Sequence, residues 1–481
     1  MTLTRRVVGG SVLLTVSSGL VRLLSVITMP VLTRLLSPQV YGVAALIGSV
    51  VSLSSVIALA GIDTTYLRTY HSKQEPRGPV AEHFCWRFAI FSGLLAAALG
   101  GMAWHALPGD SIDHSDGLSA VVAIGIFIAP LSAMAQVRAL VMGRHSALAT
   151  STAVAGFVGA VTSITIAFWR RDVSALLVPM FVGYLSPMLM LGMPQLQQLA
   201  RRSQLTANDG IELIKVGFAG VITAPMYWLL TSSDRWFLQH FHGSDAVGIY
   251  SIGYSVAIIG MMMNTAVLAV WQPESAREYE ADEARARISL GVLMSRLIAA
   301  MAVVWLAATA AGGDLVRLLA DERFHSAARY VPYIAGGVFF YGVLRLATTG
   351  LLVAKQLKWA ASWWLAGGVL CLLLNLLLVP QHAGMGAAIT QSISFAFIAA
   401  GVLATAQRIY RMNLNWIRLA PSLIVIFVIG LYMLRPWHDS AAVSLLMKLP
   451  AGIAVAVGVA WAMAPDWCVK GVQLLQKKAL R

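Results

Sequence analysis

A chain of 481 residues in which AVILMFWYC make up 58% and DEKR only 12% carries about half the charge of a soluble domain, for which roughly 25% is usual. That composition excludes a water-soluble globular protein and a disordered one. Because the apolar residues run from end to end, it also excludes a soluble enzyme on a single anchor. The net charge of +14 and mean hydropathy of +0.75 leave a polytopic membrane protein.

A crossing helix needs about 20 mostly apolar residues. In chain order such runs occupy 7–33, 40–62, 84–104, 117–142, 147–169, 173–193, 213–239, 247–271, 289–311, 331–354, 360–379, 386–407, 419–434 and 446–463. They predict an all-α polytopic membrane protein with about 14 transmembrane helices. The last two runs are short, and 12 is the alternative count. The opening Met1–Arg6 and the run after it resemble a signal peptide in outline, but the run exceeds an h-region, Arg22 interrupts it and no small-residue cleavage site follows. It is read as the first span.

Lys and Arg in short loops set orientation. With the N-terminus inside, 23 of the 35 fall in inside segments, nine in outside segments, and Arg22, Arg296 and Arg345 stay within spans. Both termini are therefore predicted to be cytoplasmic. Because the basic residues are spread over many short loops, the net charge calls for no nucleic-acid partner. The three cysteines, Cys85, Cys371 and Cys468, lie within or on the inner side of predicted helices, so no disulfide framework is implied.

The longest polar connections, 63–83, 194–212 and 272–288, are too short to fold a core. No phosphate-binding loop, zinc-protease or nucleophile-elbow motif occurs. Segment 272–288 reads as a charged helical connector. The outside loop 312–330 holds Asp314, Asp321, Glu322 and His325, the one cluster an enzyme reading could use.

Residues 35–43 (LLSPQVYGV) match 241–249 (FHGSDAVGI), with Gly42 over Gly248 at an offset of 206, and 138–148 matches 350–360 at an offset of 212. Six spans per copy is an even number, so the copies share one orientation, as parallel repeats with a site between the halves require. The predicted organisation is residues 1–200 as an N-lobe of helices 1–6, 201–410 as a C-lobe of helices 7–12, and 411–481 as two further helices with a cytoplasmic tail.

An arginine at mid-bilayer costs roughly 2.5 to 3.5 kcal/mol on insertion scales and faces protein or water. In the first span Ser11, Thr15, Ser18, Arg22 and Ser25 recur at intervals of 4, 3, 4 and 3, placing all five within about 80° of helix surface. They predict a cavity wall. Arg345 is too deep to snorkel, while Arg296 and Arg138 sit nearer the inner ends and could reach headgroups. A cavity lined by these four is cationic and takes an anion, and Arg matches phosphate oxygens in a bidentate fork. Asp234 and Asp63 are the coupling-ion candidates, for H⁺ or Na⁺; no other cofactor and no metal is called for. Adjacent positions do not face each other on a helix, so Asp234 and Arg235 are expected not to neutralise each other. Tyr250 and Trp271 read as interfacial anchors and Asn264 as a helix–helix hydrogen bond.

Residues 35–70, LLSPQVYGVAALIGSVVSLSSVIALAGIDTTYLRTY, resemble the N-terminal signature of bacterial polysaccharide, or Wzx-type O-antigen, flippases. SSDRWFLQHFHGSDAVGIYSIGYSVA (232–257) and RFHSAARYVPYIAGGVFF (323–340) are similar to later segments of that family. The resemblance places the chain in the multidrug/oligosaccharidyl-lipid/polysaccharide exporter superfamily. It implies two six-helix lobes around a central cavity, alternating access, and transfer of an undecaprenyl-diphosphate-linked oligosaccharide across the bacterial inner membrane, for O-antigen, capsule or exopolysaccharide synthesis. It also implies a glycan polymerase and glycosyltransferases as partners. The rival readings are a cation-coupled multidrug exporter of the same superfamily and, further off, a membrane glycan polymerase or ligase.

Overall fold

Every regular element of the computed structural model, which describes residues 3–70, 79–105, 116–194 and 207–463, is helical. In chain order these are α1 (Leu3–Leu35), α2 (Pro38–Leu59), α3 (Ile62–Thr69), α4 (Pro79–His105), α5 (Asp116–Val141), α6 (His145–Trp169), α7 (Ser174–Leu191) and α8 (Ala207–Ala257). After a short 3-10 turn at Ile258–Gly260 come α9 (Met261–Ala281), α10 (Glu283–Leu319), a second 3-10 segment at Glu322–Arg329, α11 (Val331–Val353), α12 (Leu357–Ile409), α13 (Trp416–Met433) and α14 (Ala441–Met463).

Among the described residues, twelve stretches are long and apolar enough to cross a membrane. Two of them, Thr223–Leu268 with 46 residues and Leu357–Ile409 with 53, would each measure about 70 to 80 Å if straight, more than twice the hydrocarbon core. Neither is straight. The backbone leaves the helical region at Gly243 (φ 77°, ψ 178°) and at Ala383 (φ 47°, ψ −131°). The limbs on either side pack against each other: Tyr250 bonds back to Asp234, and Trp363 Nε1 donates to Thr405 Oγ1 at 2.9 Å. The twelve stretches thus supply the fourteen predicted crossings.

Local chemistry explains several boundaries. Ser37 caps α2 by accepting from the Val40 amide at 3.3 Å, and Pro38 follows at the first helical position, where a missing N–H costs nothing. Asp282 accepts from the Arg285 amide at 3.1 Å and starts α10 inside the predicted helical connector. Helix contacts depend on small residues, as expected where lipid is as apolar as the core. A side chain at Gly156 would strike Val21 of α1, and one at Gly401 would strike the Trp363 ring.

Two sequence expectations fail. The outside loop 312–330 is mostly helix, because α10 runs on to Leu319 and buries Asp314. Trp271 and Tyr250 are not interfacial anchors but fully buried, the indole donating to Thr349 Oγ1 at 2.7 Å. Asn264 does bridge helices, its amide donating to the Val338 carbonyl at 2.8 Å. Residues cluster into two compact units, one made of residues up to Ser251 with Cys371–Ala387, the other of Ile252–Leu370 with the remainder from Ala388.

Candidate functional site

In the first unit, α1 has two contrasting faces. Leu13, Val16, Leu20, Leu23 and Ile27 are exposed, Ile27 to 67%, and their spacing lines them up as a lipid-facing stripe. The stripe of Ser18, Arg22 and Ser25 is centred about 170° away around the helix. Ser18 and Arg22 are half-buried, whereas Ser25 is exposed, its Oγ donating back to the Val21 carbonyl at 3.1 Å. The side chains of Ser11 and Thr15 lie outside the described part. Arg22 therefore lies on the face of α1 opposite the exposed apolar stripe.

In the second unit, α11 is the most buried span, with 61% of its apolar window enclosed. Along it Tyr341, Arg345 and Thr348 are half-buried on one line, within about 60° of one another. No carboxylate lies within ion-pairing distance of Arg345 among the described residues. Leu352, half exposed, continues the same line, while Tyr333, Phe339 and Phe340 open on other sides of the helix.

Arg138 and Arg296 are held otherwise. Arg138 Nε donates to Glu82 Oε1 at 2.7 Å and Nη1 to the Gly192 carbonyl at 3.3 Å. Arg144 reaches the neighbouring Leu191 carbonyl at 3.1 Å, so two guanidinium groups satisfy the bare carbonyls ending α7. Arg296 Nε donates to the Met463 carbonyl at 3.2 Å, at the end of α14. Neither was expected to have a protein partner. Beside Glu82, burial first and that carboxylate second push the Tyr66 hydroxyl well above its ordinary value, so it stays neutral.

Asp234 is buried, accepts a hydrogen bond from the Tyr250 hydroxyl and also accepts from the Arg235 amide at 2.8 Å. The Arg235 guanidinium lies 3.9 Å away, closer than adjacency on a helix led one to expect. The reason is that its stem curls back to the Thr231 carbonyl at 2.9 Å and passes the carboxylate on the way. Asp63 stands half-buried in the first turn of α3, where the helix dipole favours a carboxylate.

Three features escaped the sequence reading. Glu82 was not singled out. The Asp314–Lys448 pair joins α10 to α14 at 2.8 Å, with side chains 3% and 4% exposed. An apolar groove of about 470 Å³ in the second unit is lined by Trp305, Tyr333, Phe339, Phe340, Phe427 and Leu431; it presents no charge and suits a hydrocarbon chain. Among the described residues no cluster of metal-ligating side chains occurs.

By fold, the chain is similar to the lipid II flippase MurJ in an inward closed conformation. The TM-score is 0.70 at 11% identity, covering 95% of this chain and all of that one. The eukaryotic MATE transporter AtDTX14 follows at a TM-score of 0.49 and 13% identity, over 87% of this chain and 97% of that one. No curated protein matches the chain by sequence. A family model described as "Polysaccharide biosynthesis protein" matches residues 31–329. Because this match spans more than half of the sequence, the chain belongs to the family described as polysaccharide biosynthesis protein.

Proposed function

We propose that the protein is a flippase that moves an undecaprenyl-diphosphate-linked oligosaccharide repeat unit from the cytoplasmic to the periplasmic leaflet of the bacterial inner membrane. On this reading residues 1–200 and 201–410 form two lobes that rock to give alternating access, and residues 411–481 add two helices and a cytoplasmic tail. The observation that supports it is a pair of half-buried arginines, Arg22 opposite the exposed apolar stripe of α1 and Arg345 within the largely buried α11. Cavities for cationic drugs favour carboxylates, whereas arginine forks fit the oxygens of a diphosphate. The sugars would occupy the hydrated space, and the polyprenyl tail would remain in lipid.

Deleting the gene is expected to trap lipid-linked repeat units in the inner leaflet and to leave drug sensitivity unchanged. Leaflet-specific labelling of extracted repeat units checks this. Units trapped in the outer leaflet would mean a polymerase or ligase, and altered drug accumulation in an exporter-deficient strain would mean a multidrug exporter. Polymerase and glycosyltransferases are the expected partners, supplying and consuming the cargo.

For coupling, Asp234 is favoured over Asp63, because a buried carboxylate held by a hydroxyl and a guanidinium can exchange a proton or Na⁺ for a change in packing. Asp234→Asn is expected to abolish the dependence of transport on the proton or Na⁺ gradient in reconstituted vesicles. An unchanged gradient dependence assigns coupling elsewhere.

A further inference from the structure

Helix α2 and the second limb of α8 meet at their first turns in a reciprocal contact. A methyl group added at Gly42 would lie 1.9 Å from the Ser244 carbonyl oxygen, and one added at Gly248 would lie 1.8 Å from the Pro38 carbonyl oxygen. No other described glycine meets its neighbour so closely. Gly42 and Gly248 are 206 residues apart, and so are Pro38 and Ser244. The contact therefore maps onto itself when the two halves of the repeat exchange, and all four residues lie within the first compact unit.

A second reciprocal contact closes the opposite end of α2. A methyl at Gly61 would fall 2.2 Å from the Gly217 carbonyl oxygen and one at Gly217 would fall 2.4 Å from that of Gly61, and Thr65 Oγ1 donates to the Leu213 carbonyl at 2.8 Å. Between the two ends the link is of another kind. Trp228 Nε1 donates to the Ser49 carbonyl at 2.9 Å, and Trp236 Nε1 donates to Ser49 Oγ at 2.9 Å.

Backbone seated on backbone through glycine leaves no room for a side chain at the outer contact. Its Cα–H···O and dispersion terms are each worth at most about 1 kcal/mol, so it can part and reclose. Hydrogen-bonded indoles at mid-depth are costlier to separate in lipid.

Resting on the alternating-access reading, we propose that these two glycine contacts are the transporter's two gates. The Gly42/Gly248 contact closes the outer face, the Gly61/Gly217 contact closes the inner face, and α2 rocks on its tryptophan-bonded middle. Each gate needs glycine because any side chain props it open.

The test uses the full-length protein with its three cysteines replaced and one probe cysteine introduced by Ala45→Cys. Ala45 lies one turn inward of Gly42 on the side of α2 that carries Gly42 and Ser49. A membrane-impermeant maleimide is added to whole cells. Gly42→Ala and Gly248→Ala are each expected to raise labelling several-fold by propping the outer gate. Gly217→Ala is expected to lower it several-fold by biasing the protein inward. Gly48→Ala, whose methyl would meet only Met180 Sδ at 4.0 Å, should leave it unchanged. Shifts of the same sign, or no shift at matched protein levels, overturn the proposal, since simple loosening has no reason to reverse sign between faces. Labelling reads the gates whatever the cargo, so a wrong cargo leaves this outcome intact, whereas a chain that does not alternate between faces shows no opposite response.

Discussion

Replacing Arg22 by Ala is expected to reduce surface glycan export roughly ten- to a hundred-fold at unchanged protein level. That is the equivalent of losing one hydrogen-bonded charge worth about 1.5 to 3 kcal/mol. The argument is geometric. The lipid-facing stripe of α1 ends on one side and Arg22 lies on the other, so its charge is spent on protein or cavity, and an anionic cargo is what a helix strip of serines with a single guanidinium would recognise. Arg22→Lys should recover part of the loss, since Lys keeps the charge and loses the bidentate fork. Arg345→Ala should behave alike, and the double variant should reach the background of the deletion strain. Arg138→Ala and Arg296→Ala belong to a different class: their guanidinium groups serve Glu82 and the bared carbonyls of Gly192 and Met463, so they should lower protein stability before they lower turnover. Quantifying surface glycan against immunoblotted protein separates the two. Wild-type export from Arg22→Ala would remove Arg22 from the site.

What the sequence disclosed and what it hid divide along physical lines. Hydropathy located the crossings because a bilayer demands long apolar runs, and the 3.6-residue period put Arg22 on the same face as Ser18 and Ser25. Periodicity reports a face and not a partner. Glu82 and Arg138 are 56 residues apart and Asp314 and Lys448 are 134 apart; only tertiary packing brings either pair together. Asp314 looked like a loop charge because it follows an apolar run, yet α10 continues past the expected end to Leu319, and α14 begins at Ala441, ahead of the last predicted run, so that Lys448 lies a full turn or more inside it. Trp271 at a span end read as an anchor in the interface, whereas Thr349 on a neighbouring helix supplies the acceptor that lets it be buried. The glycine offset did carry spatial information, since Gly42 and Gly248 proved to be reciprocal neighbours of each other's helices.

The largest stability effect is expected at the Asp314–Lys448 pair. Lys448 Nζ donates to Asp314 Oδ2 at 2.8 Å and to the Ala310 carbonyl at 3.2 Å, while Ser444 Oγ donates to the same carboxylate oxygen at 2.9 Å. Both ionic side chains are almost fully enclosed. Removing one partner strands a buried charge, so Asp314→Leu or Lys448→Met alone should cost about 3 to 5 kcal/mol. Breaking the exposed pair Arg287–Glu283, with side chains 45% and 50% accessible, should leave the unfolding temperature essentially unchanged, because solvent screens it. Combining Asp314→Leu with Lys448→Met removes both charges and leaves only the Ser444 hydroxyl short of an acceptor, a loss of roughly 1 to 3 kcal/mol, so the double variant should be more stable than either single one. Thermal unfolding of the detergent-solubilised protein measures the cycle. If the single variants unfold with the wild type, the pair contributes no stability and α14 is held to α10 by apolar packing alone; if the double variant is worse than both, the ion pair is a net stabiliser and not merely a constraint on which helix docks where.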